Sequence, residues 1–414
     1  MMPKAGDPMP PDTSPSLARV ARGNTCAGCG ACAGLFPAQV VMDVVAPGYL
    51  RPRQTAALSA AEDAVIAHVC PGLGQRVQAA GRTDHPLWGP HVAMMTGWST
   101  DPAVRFAGAS GGALSALLIH LLDSGTVDAV IETAADPALP IGNVTLTVTD
   151  ADGVTTAAGS RYAPSAPLAG LASCLAEDRR FAFVGKPCDA AALAALRDTD
   201  PRVAAVFPVI LSFFCAGVPS HDGGRAILAA LGVDPADVER FRFRGQGWPG
   251  RATALLKDGT ERSMSYHDSW GGILSKHVQH RCKICADGTG VAADIACADA
   301  WETDARGYPL FEEAPGVSLI VARSELGAGI IASARAAGRI ETQPFDVAQL
   351  AAIQPGQRER HRALLARLLA LRLVGRPIPR YEGLQLAVAA WQSPVRRNIR
   401  NFLGTLRRVL CSGG

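Results

Sequence analysis

Three thiols at regular spacing give this chain its first chemical signal. Thr25 to Pro37 reads T-C-A-G-C-G-A-C-A-G-L-F-P, so two residues separate Cys26 from Cys29 and Cys29 from Cys32. That spacing lets one short loop wrap three thiolates around an iron–sulfur cluster. Small residues fill the gaps, so the backbone can approach inorganic sulfide and aim N–H groups at it.

In the bacterial ferredoxin run, a fourth cysteine and a proline follow after three more residues. Here Pro37 is kept, but Phe36 stands at the cysteine position. The fourth cysteine of each run in a two-cluster ferredoxin ligates the other cluster. A one-cluster chain would therefore keep three cysteines of the first run and the Cys-Pro of the second. Cys70-Pro71 supplies that pair, and Ala60, Asp63 and Ile66 stand where the other three cysteines would be. Cys26, Cys29, Cys32 and Cys70 thus read as ligands of one 4Fe–4S cluster in a ferredoxin-like segment, residues 21–80. A structural zinc knuckle is the alternative, although zinc sites more often show two paired Cys-x2-Cys halves.

Four further cysteines lie where elements change. Cys188 falls at the turn G-K-P-C-D between a predicted strand and helix, a common location for α/β sites. Cys215 ends a long apolar strand expected within Val203 to Val218, and Cys282 and Cys285 form a Cys-x2-Cys pair. These four could make a second four-cysteine site. Equally, His277 and His280 could join Cys282 and Cys285 on zinc, or Cys188 and Cys215 could be buried small hydrophobes.

The elements that position these residues follow from periodicity. Leu114, Leu117, Leu118, Leu121 and Leu122 fall on one helical face closed by Gly125, with Ser110-Gly111-Gly112 opening the helix. Free N–H groups there favour a phosphate; the alternative is an ordinary Gly-capped loop. Asp128 to Glu132 reads as a strand, and Val144, Leu146 and Val148 alternate before Asp152-Gly153, predicting a hairpin. Arg161 in Gly159-Ser160-Arg161-Tyr162 could pair with a diphosphate or be a plain surface arginine. Helices alternating with apolar strands predict an α/β fold, a mostly parallel sheet covered on both faces. No G-x-G-x-x-G joins a predicted strand to a predicted helix, which disfavours a Rossmann NAD site.

Composition bounds the rest. The chain has 414 residues, 48% hydrophobic and 19% charged, enough for a large core in two or three domains. A net charge of +3 is too small to argue for nucleic acid. Eleven cysteines and no apolar leader point to a reducing, cytoplasmic compartment and to metal ligation. Residues 1–20 read as a disordered leader, with five prolines between Met1 and Ser16, and Gly81 to Pro90 as a linker. An α/β domain is expected over 91–340, with a helix over Ser324 to Gly338, then a basic helical region over 341–414. In its last helix Val395, Ile399, Phe402, Leu403, Leu406 and Leu410 form a stripe opposite Arg396, Arg397, Arg400 and Arg408. Such a helix could lie on an anionic membrane surface, dock on a partner, or pack on its own domain.

Taken in order, Ser110-Gly111-Gly112, Gly159-Ser160-Arg161-Tyr162, Gly185-Lys186-Pro187-Cys188, Phe214-Cys215 with Gly217, Cys282-x2-Cys285 and Ala293-Asp294-Ile295 form a string of motifs. The string resembles the family of beta subunits of the coenzyme F-420 (deazaflavin) reducing hydrogenases and dehydrogenases, over about Trp98 to Val321. The ferredoxin-dependent divinyl chlorophyllide and hydroxymethyl chlorophyll reductases have a similar layout. The resemblance implies an FAD in the α/β domain, contacted by Ser110, Gly111, Gly112, Ser160, Arg161, Tyr162, Lys186 and Asp294. It also implies a second 4Fe–4S cluster held by Cys188, Cys215, Cys282 and Cys285. Lys186 and Asp189 replace a more usual threonine and glutamine, Ala298-Asp299 replaces Gly-Asp, and Cys297 replaces serine.

The implied activity is that of an iron–sulfur flavoprotein oxidoreductase. Electrons would come from ferredoxin or another donor protein and pass to a conjugated acceptor, namely a deazaflavin, a tetrapyrrole or another small molecule. Alternatively, the chain is an electron-transfer subunit of a larger complex without substrate chemistry of its own. Asp294, Asp299, Lys186 and His267 are candidates for acid or base, and none is assigned.

Overall fold

The computed structural model describes residues 13–301, 310 and 312–411. Near the N-terminus, helices α1 (Pro15–Gly23), α2 (Ala31–Leu35) and α3 (Ala60–Val69) surround an antiparallel hairpin of Val40–Val45 and Tyr49–Gln54. Ser14 caps α1, and Leu17 and Val20 are buried, so the expected leader is ordered from that point; residues 1–12 lie outside the described residues. Ala60, Asp63 and Ile66 sit on α3, which a Ser59–Glu62 capping box starts. The Asp63 carboxylate accepts from Ser16 N and Ser16 Oγ, tying α3 to α1.

Eight strands form the central sheet: β1 (Ala93–Ser99), β2 (Ala129–Ala135), β3 (Asn143–Val148), β4 (Phe181–Gly185), β5 (Val209–Phe213), β6 (Ile295–Asp299), β7 (Ser318–Ala322) and β8 (Ile340–Pro344). Their order is β8-β1-β7-β6-β5-β4-β2-β3. Only the pairings among β2, β4, β5 and β6 are parallel. The outer pairings are antiparallel, so the sheet is mixed and not mostly parallel. β2 returns directly as β3, and β7 lies antiparallel between β6 and β1.

Two faces are covered. On one, Leu117, Leu118 and Leu121 of α4 (Ala113–Asp123) and Ile330 and Ile331 of α6 (Glu325–Ala336) pack on Val130, Val184 and Leu211. On the other, Leu193 and Leu196 of α5 (Pro187–Arg197) meet Ile131, Phe181, Phe183 and Ile210. That second cluster extends into Cys29, Ala31 and Val69, so the N-terminal segment shares its core with the sheet. Truncating fully buried Phe183 to Ala would cost about 3–5 kcal/mol.

Several local expectations change. Asp152-Gly153 is not a turn; Asp150 caps a helix over Ala151–Ala157, and the hairpin is β2–β3. Val203 to Val218 divides at Pro208 into a helix, Pro201–Val206, and strand β5. Gly81 to Pro90 is more than a linker, because Leu87 and Trp88 are buried beneath β7 with Leu319 and Val321. C-terminally, α7 (Pro355–Leu373) packs along α8 (Val395–Cys411).

Candidate functional site

A cavity of about 290 Å³ opens at the carboxyl ends of the parallel strands. Its wall includes Ser110, Gly112, Ser160, Arg161, Tyr162 and Lys186, six of the eight residues expected to contact a cofactor. The first turn of α4 lines it with Ala113, Leu114 and Ser115, and carries no acidic residue. Those N–H groups and the helix dipole make this rim attractive to an anion. Gly112 caps the helix at φ +69°, and a Cβ there would lie 2.8 Å from Arg105 Cα. Gly111 is off the wall: a Cβ would meet Gly97 O and Ser318 N at 2.7 Å, so its glycine serves strand packing.

Two other expected contacts have structural partners. Arg161 donates to Asn143 Oδ1 at 2.9 Å and to the carbonyls of Gly142, Pro140 and Phe241, and lies over Phe243. Its guanidinium shapes the wall and is not poised for a diphosphate. Asp294 precedes β6 and so lies at the opposite end of the sheet from the cavity. There it pairs with Arg197 at 2.8 Å and accepts from Ile210 N and Ser324 Oγ. His267 is also absent from the cavity wall. Lys186 Nζ reaches Asp189 at 2.7 Å and Ser165 Oγ at 2.6 Å. Burial works against its charge, but Asp189 overrides that and holds the lysine above its ordinary pKa.

An ion pair that the motifs did not reveal closes the cavity. Arg244 bonds Asp299 through both terminal nitrogens, at 2.8 and 3.0 Å. The guanidinium lies over the rings of Tyr266, Trp301 and Trp248, 4.8 to 5.5 Å from their centroids. Its signal in the sequence is an arginine opening R-G-Q-G-W-P-G, whose three glycines all have positive φ.

Eight of the cysteines line two small cavities. Cys26, Cys29, Cys32 and Cys70 line one small cavity, and Cys188, Cys215, Cys282 and Cys285 line another. Neither His277 nor His280 lines the second, so the zinc arrangement with histidines is not assembled. Among the described residues no three His, Cys, Asp or Glu converge tightly enough to hold a single metal ion. Four thiols around a hole suit a polynuclear cluster better than one zinc, whose Zn–S bonds are about 2.3 Å.

The surroundings fit metal-bound thiolates. Gly28 N points at Cys26 Sγ and Val218 N at Cys282 Sγ, both at 3.3 Å. Burial pushes the Cys29, Cys32, Cys188 and Cys282 thiols up, Cys70 to about 11 and Cys215 to about 12. Thiols so placed lose their protons when a metal replaces them.

The three cavities are neighbours that share walls. Ala27 borders both cysteine cavities. Cys215, Gly217 and Val218 border both the second cysteine cavity and the large one. Cys297, at a position where the family resemblance leads one to expect serine, is buried on the wall of the large cavity.

Comparison with known proteins gives the family. Residues 94–172 match the family model "Coenzyme F420 hydrogenase/dehydrogenase, beta subunit N-term", and residues 178–348 match its C-terminus model. The F420-dependent formate dehydrogenase 1 subunit beta of Methanococcus maripaludis is 28% identical over 48% of this chain and 49% of its own length. The chain thus spans about half of that relative. One of the subunits of the F(420)H(2) dehydrogenase of Methanosarcina mazei is 25% identical over 68% of this chain and 77% of its own. A chain of the F420-reducing [NiFe] hydrogenase complex from Methanosarcina barkeri shares the fold, with TM-score 0.54, 19% identity, and coverage of 69% of this chain and 95% of that one. The chain belongs to the family of coenzyme F420 hydrogenase/dehydrogenase beta subunits.

Proposed function

We propose that this chain is an oxidoreductase subunit that holds two 4Fe–4S clusters and one FAD. It takes electrons from ferredoxin or a partner protein and delivers them to a conjugated acceptor such as a deazaflavin or a tetrapyrrole. The observation that carries this reading is the row of three cavities that share Ala27 and then Cys215, Gly217 and Val218 in their walls. The relatives named as subunits of F420-dependent dehydrogenases make a deazaflavin the first acceptor to try.

The chain's residues would act as holders and insulators. Cys26, Cys29, Cys32 and Cys70 would bind the outer cluster, and Cys188, Cys215, Cys282 and Cys285 the inner one. Ser110, Gly112 and the first turn of α4 would take the diphosphate, with Ser160 and Tyr162 along the wall. Lys186, neutralised by Asp189, would hold the turn that carries Cys188. A bound flavin supplies hydride chemistry fed by single electrons.

Among the described residues, no helix is long and apolar enough to cross a membrane. Helix α8 nevertheless exposes Val395, Ile399, Leu403 and Leu410, beside Trp391, which is 90% exposed. That face would place the chain against an anionic membrane surface, or against a partner if the chain works only inside a complex.

Iron, acid-labile sulfide, zinc and flavin per chain, measured on protein purified without oxygen, test the reading. About eight irons and one FAD support it. About four irons, with zinc or without flavin, overturn it.

A further inference from the structure

The cavity wall carries a buried carboxyl oxygen with no hydrogen-bond partner among the described residues. Val130 of β2 packs toward α4, whereas Ala129 and Ile131 pack toward α5, so by the two-residue period Glu132 faces α4. Glu132 lines the large cavity, is 6% exposed, and its Oε1 has no hydrogen-bond partner. Ser115 and Leu118 of α4 and Val184 of β4 line the same cavity. Leaving such an atom unsatisfied is costly, and that cost is offset when a ligand completes the bond.

We propose that Glu132 is a polar anchor of the cavity, its carboxyl group hydrogen-bonding an acceptor atom of the heteroaromatic ligand bound there. This inference rests on the flavin reading and names a contact which that reading does not contain. Burial alone pushes the Glu132 carboxyl up to about 8, so near neutral pH it is mostly protonated and can donate. The other charged groups on the wall are accounted for. Lys186 is paired with Asp189, Arg244 with Asp299, and Arg161 is tied to Asn143 and carbonyls. Tyr162, Tyr266, Cys215 and Cys297 complete the titratable set on the wall.

Below about pH 8 the donor is present and binding is full; as pH rises through that value the proton leaves and the anion faces an acceptor. Binding should therefore weaken about tenfold by pH 9.

FAD titration of the flavin-stripped full chain between pH 6 and 9.5, followed by flavin fluorescence, tests this. Wild type is expected to show the step, Glu132→Gln to bind without it because the amide keeps a donor, and Glu132→Leu to bind about tenfold more weakly near pH 7. A step that persists in Glu132→Gln, or wild-type affinity in Glu132→Leu, overturns the anchor and leaves the flavin reading standing. Wild type that binds no FAD at any pH overturns the flavin reading, and the anchor falls with it.

Discussion

Arg281 Nη2 donates a 2.9 Å hydrogen bond to the carbonyl of Pro71. That bond joins the residue before Cys282 to the residue after Cys70, and so links the two cysteine groups. Arg281 is 2% exposed, lines the second cysteine cavity and lies 5.7 Å from the Tyr381 ring centroid, while its Nε and Nη1 have no hydrogen-bond partner among the described residues. A buried cation with unspent donors stands between two sets of sulfurs that become anionic when they hold metal.

Removing that cation is therefore expected to lower the midpoint potential of the inner cluster, because the more negative reduced state loses its counter-charge. Each ~1.4 kcal/mol of lost interaction corresponds to about 59 mV for one electron. Potentiometric titration followed by electron paramagnetic resonance should show Arg281→Met shifted downward by at least that much. Arg281→Lys keeps the charge and should recover most of the shift. Equal potentials in wild type and Arg281→Met would remove the electrostatic role.

The eleven cysteines should sort by cavity. Serine at Cys26, Cys70, Cys188 or Cys285 is expected to cut bound iron to about half, since each quartet loses one cluster. Serine at Cys174, which borders neither cysteine cavity, should leave iron at the wild-type level. Cys297→Ser is the sharper control, because that thiol is buried on the large cavity yet outside both quartets. Iron per chain with full flavin is the measurement, and half-iron in Cys297→Ser would redraw the inner quartet.

Legibility in the sequence followed the range of each interaction. The first quartet could be read because three of its cysteines share one loop, and loop geometry is encoded in spacing. The helix after Ser110-Gly111-Gly112 could be read because five leucines recur at its period. Asp294 was expected at the cofactor from a motif of the family resemblance, and a motif does not say which end of the sheet a residue occupies; it precedes β6, and the cavity lies beyond the other end. Glu132 gave no signal, since a polar residue in an apolar strand looks like one turned to solvent. Arg244 and Asp299 are 55 residues apart, and only the fold brings them together. The sheet was misjudged for a similar reason, because β7 and β1 join it antiparallel through contacts remote in sequence.

That ion pair should be strongly coupled. Arg244 is almost fully buried, so Asp299→Ala would leave an uncompensated guanidinium beside the aromatic rings. Breaking one side of a buried pair costs about 3–5 kcal/mol. Thermal denaturation should show a loss of several degrees in Asp299→Ala. The double variant Arg244→Met/Asp299→Ala should lose less than the sum of the single losses. Additive losses would mean that each residue acts through its own contacts and not through the pair.

The exposed face of α8 makes the last prediction. Thr405 is buried and Asn401 accepts from Arg367, so one side of the helix is committed to α7. Val395, Ile399, Leu403 and Leu410 stand on another side at helical spacing and are exposed, as is Trp391 just before the helix. Arg396, Arg400 and Arg407 flank that stripe, and the helix contains no acidic residue. An aliphatic stripe with an indole and a one-signed border matches an interfacial helix on anionic lipid. Co-sedimentation should show binding to vesicles containing phosphatidylglycerol, little binding to phosphatidylcholine alone, and weakening as salt rises. Ile399→Asp/Leu403→Asp should reduce the bound fraction at least tenfold while iron and flavin contents stay unchanged. Failure to bind either vesicle, together with loss of a co-purifying protein in the double variant, would assign the face to a protein partner.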